Sequence, residues 1–158
     1  MLFITNTETV FGIIFSAEEK EIVYKLKGYA EDFYKTFQII TSNEIKTLNN
    51  WSKKSENIPK EWFECKTTLI INNIGVKLTR NKFIKEEESM QNTTLFGSSV
   101  NIHAQPSIIN IKDLELWQEN VEKIHKIHMP ILIDSSIIST NCSSRVLQII
   151  DDKMIIIR

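Results

Sequence analysis

Cysteine is scarce in this chain of 158 residues: only Cys65 and Cys142 occur, with no CxxC pair. That composition excludes a disulfide framework and a cysteine-rich zinc module, and points to free thiols in a reducing, cytoplasmic setting. Long apolar runs are also missing. None approaches the roughly 18 to 20 residues that span a bilayer, so no membrane partner is expected. The opening MLFITNTETV has no basic n-region, extended apolar core or small-residue cleavage site, so no export signal is read. Four glycines and three prolines leave little punctuation, and no Gly/Ser linker, internal repeat or low-complexity tract divides the chain. One domain over residues 1–158 is the economical reading. An excess of positive charge is absent too, the formal net charge being -1. Weak or no direct binding of nucleic acid follows. Arginine is limited to Arg80, Arg145 and Arg158, which leaves few planar forks for bidentate anion binding.

Hydrophobic residues make up 42% of the chain, enough for a sizeable core. Residues 1–4 and 11–15 read as strands. Ser16-x-x-Glu19 is a capping box, and Ile22, Val23 and Leu26 recur at helical spacing, predicting a helix over 17–27. A buried strand is expected over 35–41, and Thr41-x-x-Glu44 predicts a short helix through Trp51. Pro59 opens a helical turn to residue 63. Residues 67–72 and 76–79 read as a hairpin turning at 73–75. The charged run 80–92, with KEEE at 85–88, is aperiodic and reads as a mobile loop. A strand over 94–100 enters the polar GSSVN turn at 97–101. From Lys112 a helix is expected, with Leu114, Trp117, Val121, Ile124 and His128 on one face, closed by Pro130. ILID, RVLQII and MIIIR supply further strands. Apolar strands interleaved with helices predict an α/β three-layer domain, a twisted mixed β-sheet flanked by helices.

Polar residues with chemical capacity are dispersed. Thr7 and Thr9 lie two apart, so on an extended segment both hydroxyls face one side, suited to a ligand ammonium, carboxylate or hydroxyl. In GSSVN the short side chains of Ser98, Ser99 and Asn101 permit close backbone approach and offer hydroxyls and an amide. His125-x-x-His128 could pair two imidazoles on a helix face, but no third metal ligand is evident and structural or surface histidines are the better reading, so no metal site is expected. Trp51, Trp62 and Trp117 read as core or rim residues.

In this order and spacing, TETVFG at 7–12, Lys27-Gly28, GSSVN at 97–101, SSRVLQII from Ser143 and the closing Ile157-Arg158 resemble the threonylcarbamoyl-AMP synthase (YrdC/TsaC) family. Its signatures are Pro-Thr-Glu-Thr-Val-Tyr-Gly, Lys-Gly-Arg, a Ser-Ala-Asn loop, and Ser-Thr-Val before Ile-Leu-Arg. The resemblance covers essentially the whole chain. It implies a YrdC/RibB-like fold, with a mixed sheet and a concave cleft. It also implies an enzyme, an L-threonylcarbamoyladenylate synthase. That enzyme condenses L-threonine, bicarbonate and ATP, with Mg2+ on the triphosphate, to threonylcarbamoyl-AMP and pyrophosphate, for a downstream tRNA threonylcarbamoyl transferase that makes t6A37.

The resemblance assigns Thr7, Thr9, Thr68 (with Thr67 as the alternative register) and Ser144 (or Ser143) to threonine and its carbamate. It assigns Lys27, Lys35, Ser98, Ser99, Asn101, Ser107 and Arg158 to the nucleotide. No covalent nucleophile is required, so the site would work by positioning and electrostatics. Four departures stand out: Asn6 replaces a proline, Tyr29 the arginine of Lys-Gly-Arg, Ala30 the proline after it, and Lys77 an arginine in the next strand. They make a catalytically weakened nucleotide- or RNA-binding module the alternative. A carbamoyl-transfer module like that of hydrogenase maturation proteins is a third reading, disfavoured because such modules sit in far longer chains.

Overall fold

The computed structural model describes residues 1–29, 36–44, 58–150 and 153–158. Its centre is a nine-stranded mixed sheet. In chain order the elements are β1 (Leu2–Asn6), β2 (Phe11–Phe15), a 3-10 turn (Ala17–Glu19), α1 (Lys20–Lys27), β3 (Gln38–Thr41), α2 (Lys60–Phe63), β4 (Thr67–Ile71), β5 (Ile74–Leu78), α3 (Lys82–Gln91), β6 (Phe96–Ser99), α4 (Ile111–His125), β7 (Ile131–Leu132), β8 (Arg145–Ile150) and β9 (Lys153–Ile156). Across the sheet the order is β7-β1-β2-β6-β3-β5-β4-β8-β9. Hairpin pairs such as β1 with β2 and β4 with β5 are antiparallel, whereas β1 with β7, β3 with β5 and β4 with β8 are parallel. The expected mixed sheet is therefore present.

Alternation along the strands fills both faces. Ile4, Ile13 and Phe15 pack against Val23 and Leu26 of α1 and against Leu114 and Val121 of α4. The neighbouring positions Phe3 and Ile14 point the other way, joining Ile40, Leu95 and Ile84 of α3. Helices thus cover both faces, as three layers require. Under β4, β5 and β8, Trp62 of α2 closes a smaller cluster with Leu69, Leu78 and Leu147.

Several expectations are corrected. The charged run after Arg80 is not a loop: α3 forms because the buried Asn81 side chain caps it, accepting from the N–H groups of Phe83 and Ile84. The β4–β5 turn is Asn72-Asn73, both with positive φ, rather than 73–75. That is the two-residue turn whose twist suits a hairpin, and asparagine tolerates it. Residues 17–19 form a 3-10 turn ahead of α1, with the Glu19 carboxylate accepting from the Ser16 N–H at 2.9 Å. The apolar stripe of α4 ends at Val121: Ile124 is exposed, His125 is the last helical residue and His128 lies beyond. The helix expected through Trp51, together with Lys35 and Ala30, lies outside the described residues.

Candidate functional site

One face of the sheet carries a cavity of about 840 Å³. Three of the four glycines, Gly12, Gly75 and Gly97, line it. A Cβ on Gly97 would meet Ile40 at 3.4 Å and one on Gly75 would meet Gln38 at 3.3 Å, so absent side chains keep this floor open.

Every described residue assigned to the site in the sequence lines this cavity: Thr7, Thr9, Lys27, Thr68, Ser98, Ser99, Asn101, Ser107, Ser144 and Arg158. Ser143 lines it as well. Thr67 does not; it is fully buried on the opposite parity of β4, and Thr68 is the one that faces the cavity. Arg145 also points elsewhere, its guanidinium 3.7 Å from the Glu61 carboxylate.

At one end, Thr68 Oγ1 donates to Gln38 Oε1 at 2.8 Å and lies 2.9 Å from Ser144 Oγ. A hydroxyl has one proton. Since that of Thr68 goes to Gln38, Ser144 must donate to Thr68, leaving Ser144 lone pairs as acceptors for a ligand. Arg158 Nη2 donates to the Ser144 carbonyl at 3.3 Å.

A second chain runs through the threonine motif. Thr7 Oγ1 donates to the Val10 carbonyl at 2.7 Å, so the 3.1 Å contact between Thr9 Oγ1 and Thr7 Oγ1 takes its proton from Thr9. Lys77 Nζ then donates to Thr9 Oγ1 at 2.8 Å and to the Cys65 carbonyl at 3.1 Å. The two hydroxyls meet because residues 8–10 bend after β1, not through the strand alternation expected from their spacing. The bend is braced from behind. Asn6, standing where the family has proline, exchanges hydrogen bonds with the Asp134 backbone, its Nδ2 donating at 2.8 Å and its Oδ1 accepting at 2.8 Å. Thr140 N donates to the Glu8 carbonyl at 2.9 Å. Although burial opposes it, N–H donors from Lys82 and Ser136 and the Ser136 hydroxyl hold the Asp134 carboxyl below its ordinary range.

The opposite end holds Lys27. Although it ends a helix, it is 3% exposed; its Nζ donates to the Ser99 carbonyl at 2.7 Å and to Asn101 Oδ1. Gly28 permits this by ending α1 in the left-handed region at φ 65°. Tyr29, in the family's arginine position, tilts against His103 with ring centroids 4.8 Å apart. Burial raises its phenol pKa. This end therefore offers aromatic surface where the family motif has a guanidinium.

Lysine 77 is the residue whose weight the sequence under-reports. It is 2% exposed, and burial lowers its pKa to about 8, with Arg158 adding to the shift and Glu8 and Cys65 opposing it. Burial, then the Glu8 charge, pushes the neighbouring Cys65 thiol up to about 12. Gln38 was also not singled out; its only signal is a polar residue inside the apolar run FQII. Among the described residues, the cations lining the cavity include Lys27, Lys77 and Arg158, and no Asp or Glu side chain lines it. His128 is exposed, 3.2 Å from the Glu122 carboxylate, and no group of three metal-ligating side chains occurs among the described residues.

No family model and no curated protein matches the chain. Solved structures do. The chain is similar to P. abyssi Sua5 complexed with L-threonine at 16% identity and a TM-score of 0.64, covering 99% of this chain and 49% of that one. A doubly substituted P. abyssi Sua5 gives 16% identity and a TM-score of 0.66, over 99% and 52%. E. coli YciO gives 12% identity and a TM-score of 0.61, over 99% and 82%. This chain has the Sua5/YrdC fold. It spans about half the length of the Sua5 structures. In this Sua5/YrdC fold no helix among the described residues is long and apolar enough to cross a membrane.

Proposed function

We propose that this chain is an L-threonylcarbamoyladenylate synthase, joining L-threonine, bicarbonate and ATP and releasing pyrophosphate. The observation that carries the reading is convergence. Hydroxyls from Thr7, Thr9, Thr68 and Ser144 and cations from Lys27 and Arg158, drawn from distant parts of the chain, share one cavity. The fold is that of a protein solved with L-threonine.

In this reading the Thr68–Ser144 end takes the amino acid, with the acceptor lone pairs of Ser144 suited to an ammonium or hydroxyl proton. The threonine amine nitrogen bonds to the carbon of bicarbonate as a C–O bond breaks and water leaves, giving a carbamate. A carbamate oxygen then attacks the α-phosphorus of ATP, the new P–O bond forming as the bond to pyrophosphate breaks. Lys27, held by Ser99 and Asn101, and Arg158 offset phosphate charge, and the hydroxyls of Ser98, Ser99 and Ser107 supply donors. Lys35 belongs to the same proposed cation set. Magnesium, which neutralises the triphosphate, would arrive on its phosphate oxygens and water, since no Asp or Glu side chain among the described residues lines the cavity. The product would pass to a tRNA threonylcarbamoyl transferase, leaving this chain little need of its own nucleic-acid surface.

Pyrophosphate release from the protein with ATP, magnesium, threonine and bicarbonate tests the assignment. Release that requires all four is expected; release indifferent to threonine or bicarbonate would sink it. The Tyr29–His103 pair favours one alternative, a nucleotide-binding module with weakened turnover. It predicts AMP or ATP binding with no pyrophosphate.

A further inference from the structure

Lys77 has a geometry that anion binding alone does not account for. Its side chain is almost wholly buried yet contributes to the cavity wall. Its two hydrogen bonds go to uncharged acceptors, Thr9 Oγ1 and the Cys65 carbonyl. A neutral amine has two N–H bonds, and both are taken by these partners. The remaining tetrahedral position then carries the nitrogen lone pair. Lys27, with a similar burial, is placed elsewhere on the wall, donating to the Ser99 carbonyl and Asn101 Oδ1 of the GSSVN turn.

We propose that the Lys77 amine is a carbon dioxide acceptor, forming an N-carboxylysine within the cavity. The lone pair attacks the carbon of CO2, an N–C bond forms, one C=O π pair moves onto oxygen, and a proton leaves nitrogen for water. The product is a lysine carbamate carrying one negative charge, and no oxidant, reductant or leaving group is involved. Carbon dioxide fits because it is small and uncharged, so it reaches a buried amine without the desolvation cost of an anion.

The surroundings suit the product. Arg158, on the same cavity wall, already acts electrostatically on Lys77; a positive charge that disfavours an ammonium favours a carbamate. The Thr9 hydroxyl, which gives its own proton to Thr7, can go on accepting from the one N–H that a carbamate nitrogen keeps. The depressed pKa, about 8, puts a substantial neutral fraction within reach of mildly alkaline buffer. Glu8 opposes the product charge, and Cys65, its thiol pushed to about 12, stays neutral. The inference does not rest on the synthase reading, because the reaction needs neither threonine nor ATP.

The test is carbon NMR of the full chain in 13C-bicarbonate, without nucleotide or amino acid. Wild type is expected to show a carbamate resonance that grows as pH rises through about 8 and is abolished in Lys77→Arg and Lys77→Met. No such resonance in wild type, or one that survives in both variants because it belongs to a surface amine, overturns the proposal. If the variants fail to fold, alkylative trapping of the wild-type carbamate followed by peptide mapping decides instead: label on Lys77 supports it, and label confined to other lysines overturns it. Failure of the pyrophosphate assay would leave this result untouched, so the two proposals fail separately.

Discussion

Thr68 Oγ1 and Ser144 Oγ stand 2.9 Å apart although 76 positions separate them in the chain. Parallel pairing of β4 with β8 makes the contact: Thr68 is in register with Val146, bringing Ser144 to the head of that strand. Because Thr68 already donates to Gln38, the trio acts as one unit. Thr68→Ala and Ser144→Ala are each expected to weaken L-threonine binding by about 1 kcal/mol, roughly fivefold. Titration calorimetry on the double variant should show less than the sum. Strict additivity would mean the hydroxyls do not cooperate.

Lys27→Ala is expected to damage both binding and stability. From its place at a helix end, loss of nucleotide affinity with unchanged stability would be anticipated. The burial of Lys27 and its bonds to Ser99 and Asn101 change that. Truncation takes a donor from the Ser99 carbonyl and leaves Asn101 Oδ1 with the Ser99 hydroxyl, at a cost of about 1 to 3 kcal/mol. Urea unfolding should register it as a lower midpoint with an unchanged slope.

Stability should change sign in its response to alkali. Lys77 has a folded pKa of about 8 against an ordinary 10.5. Between these values the unfolded chain binds more protons, so stability contributed by Lys77 is present above the upper value and is lost as pH falls toward 8. Cys65 works oppositely: its pKa is about 12 when folded and 9.0 ordinarily, so its contribution is present below 9.0 and is lost as pH rises beyond it. In CO2-free buffer, denaturant midpoints should rise from about pH 8 to 9 and then flatten or fall. In Cys65→Ala the rise should continue toward 10.5. A flat profile in both proteins would remove the argument for a perturbed lysine.

Asn81→Ala should be among the more destabilising polar substitutions. Its oxygen caps α3, and its Nδ2 donates to Thr5 Oγ1 at 2.8 Å and to the Asn6 carbonyl at 2.9 Å. Loss of a cap costs about 0.5 to 2 kcal/mol, and an orphaned buried carbonyl about 1 to 3 kcal/mol more. Asn81→Asp keeps the cap but loses both amide donors, so it should recover only part. Chemical denaturation of the two variants separates these terms.

What the sequence made legible follows from how locally each feature is encoded. The β1 and β2 strands, the stripe of Val23 and Leu26, and Leu114 through Val121 depend on spacing within one element and were read in place. The run after Arg80 was misread because α3 buries little beyond Ile84, which left no clear stripe; its capping asparagine was the overlooked signal. The candidate site residues were legible through the family motif, not through periodicity, since nothing local links Thr7 to Ser144. Lys77 was under-weighted because its meaning depends on depth. A lysine's pKa reports what surrounds it in space, and Thr9 and the Cys65 carbonyl reach it from remote segments.

The wall formed by Thr7, Thr68, Ser144 and Arg158 also bears on how the molecule comes together. Thr68 sits on β4 and the others just beyond the ends of β1, β8 and β9, where two of the pairings are with strands remote in the chain, β1 beside β7 and β4 beside β8. Such long-range closures form late, after local hairpins and helices. A small molecule that needs this wall has nothing to grip in an early intermediate, so it should leave the refolding rate nearly unchanged and instead slow unfolding. Ligand protection here would then be mainly a kinetic lock on the finished fold.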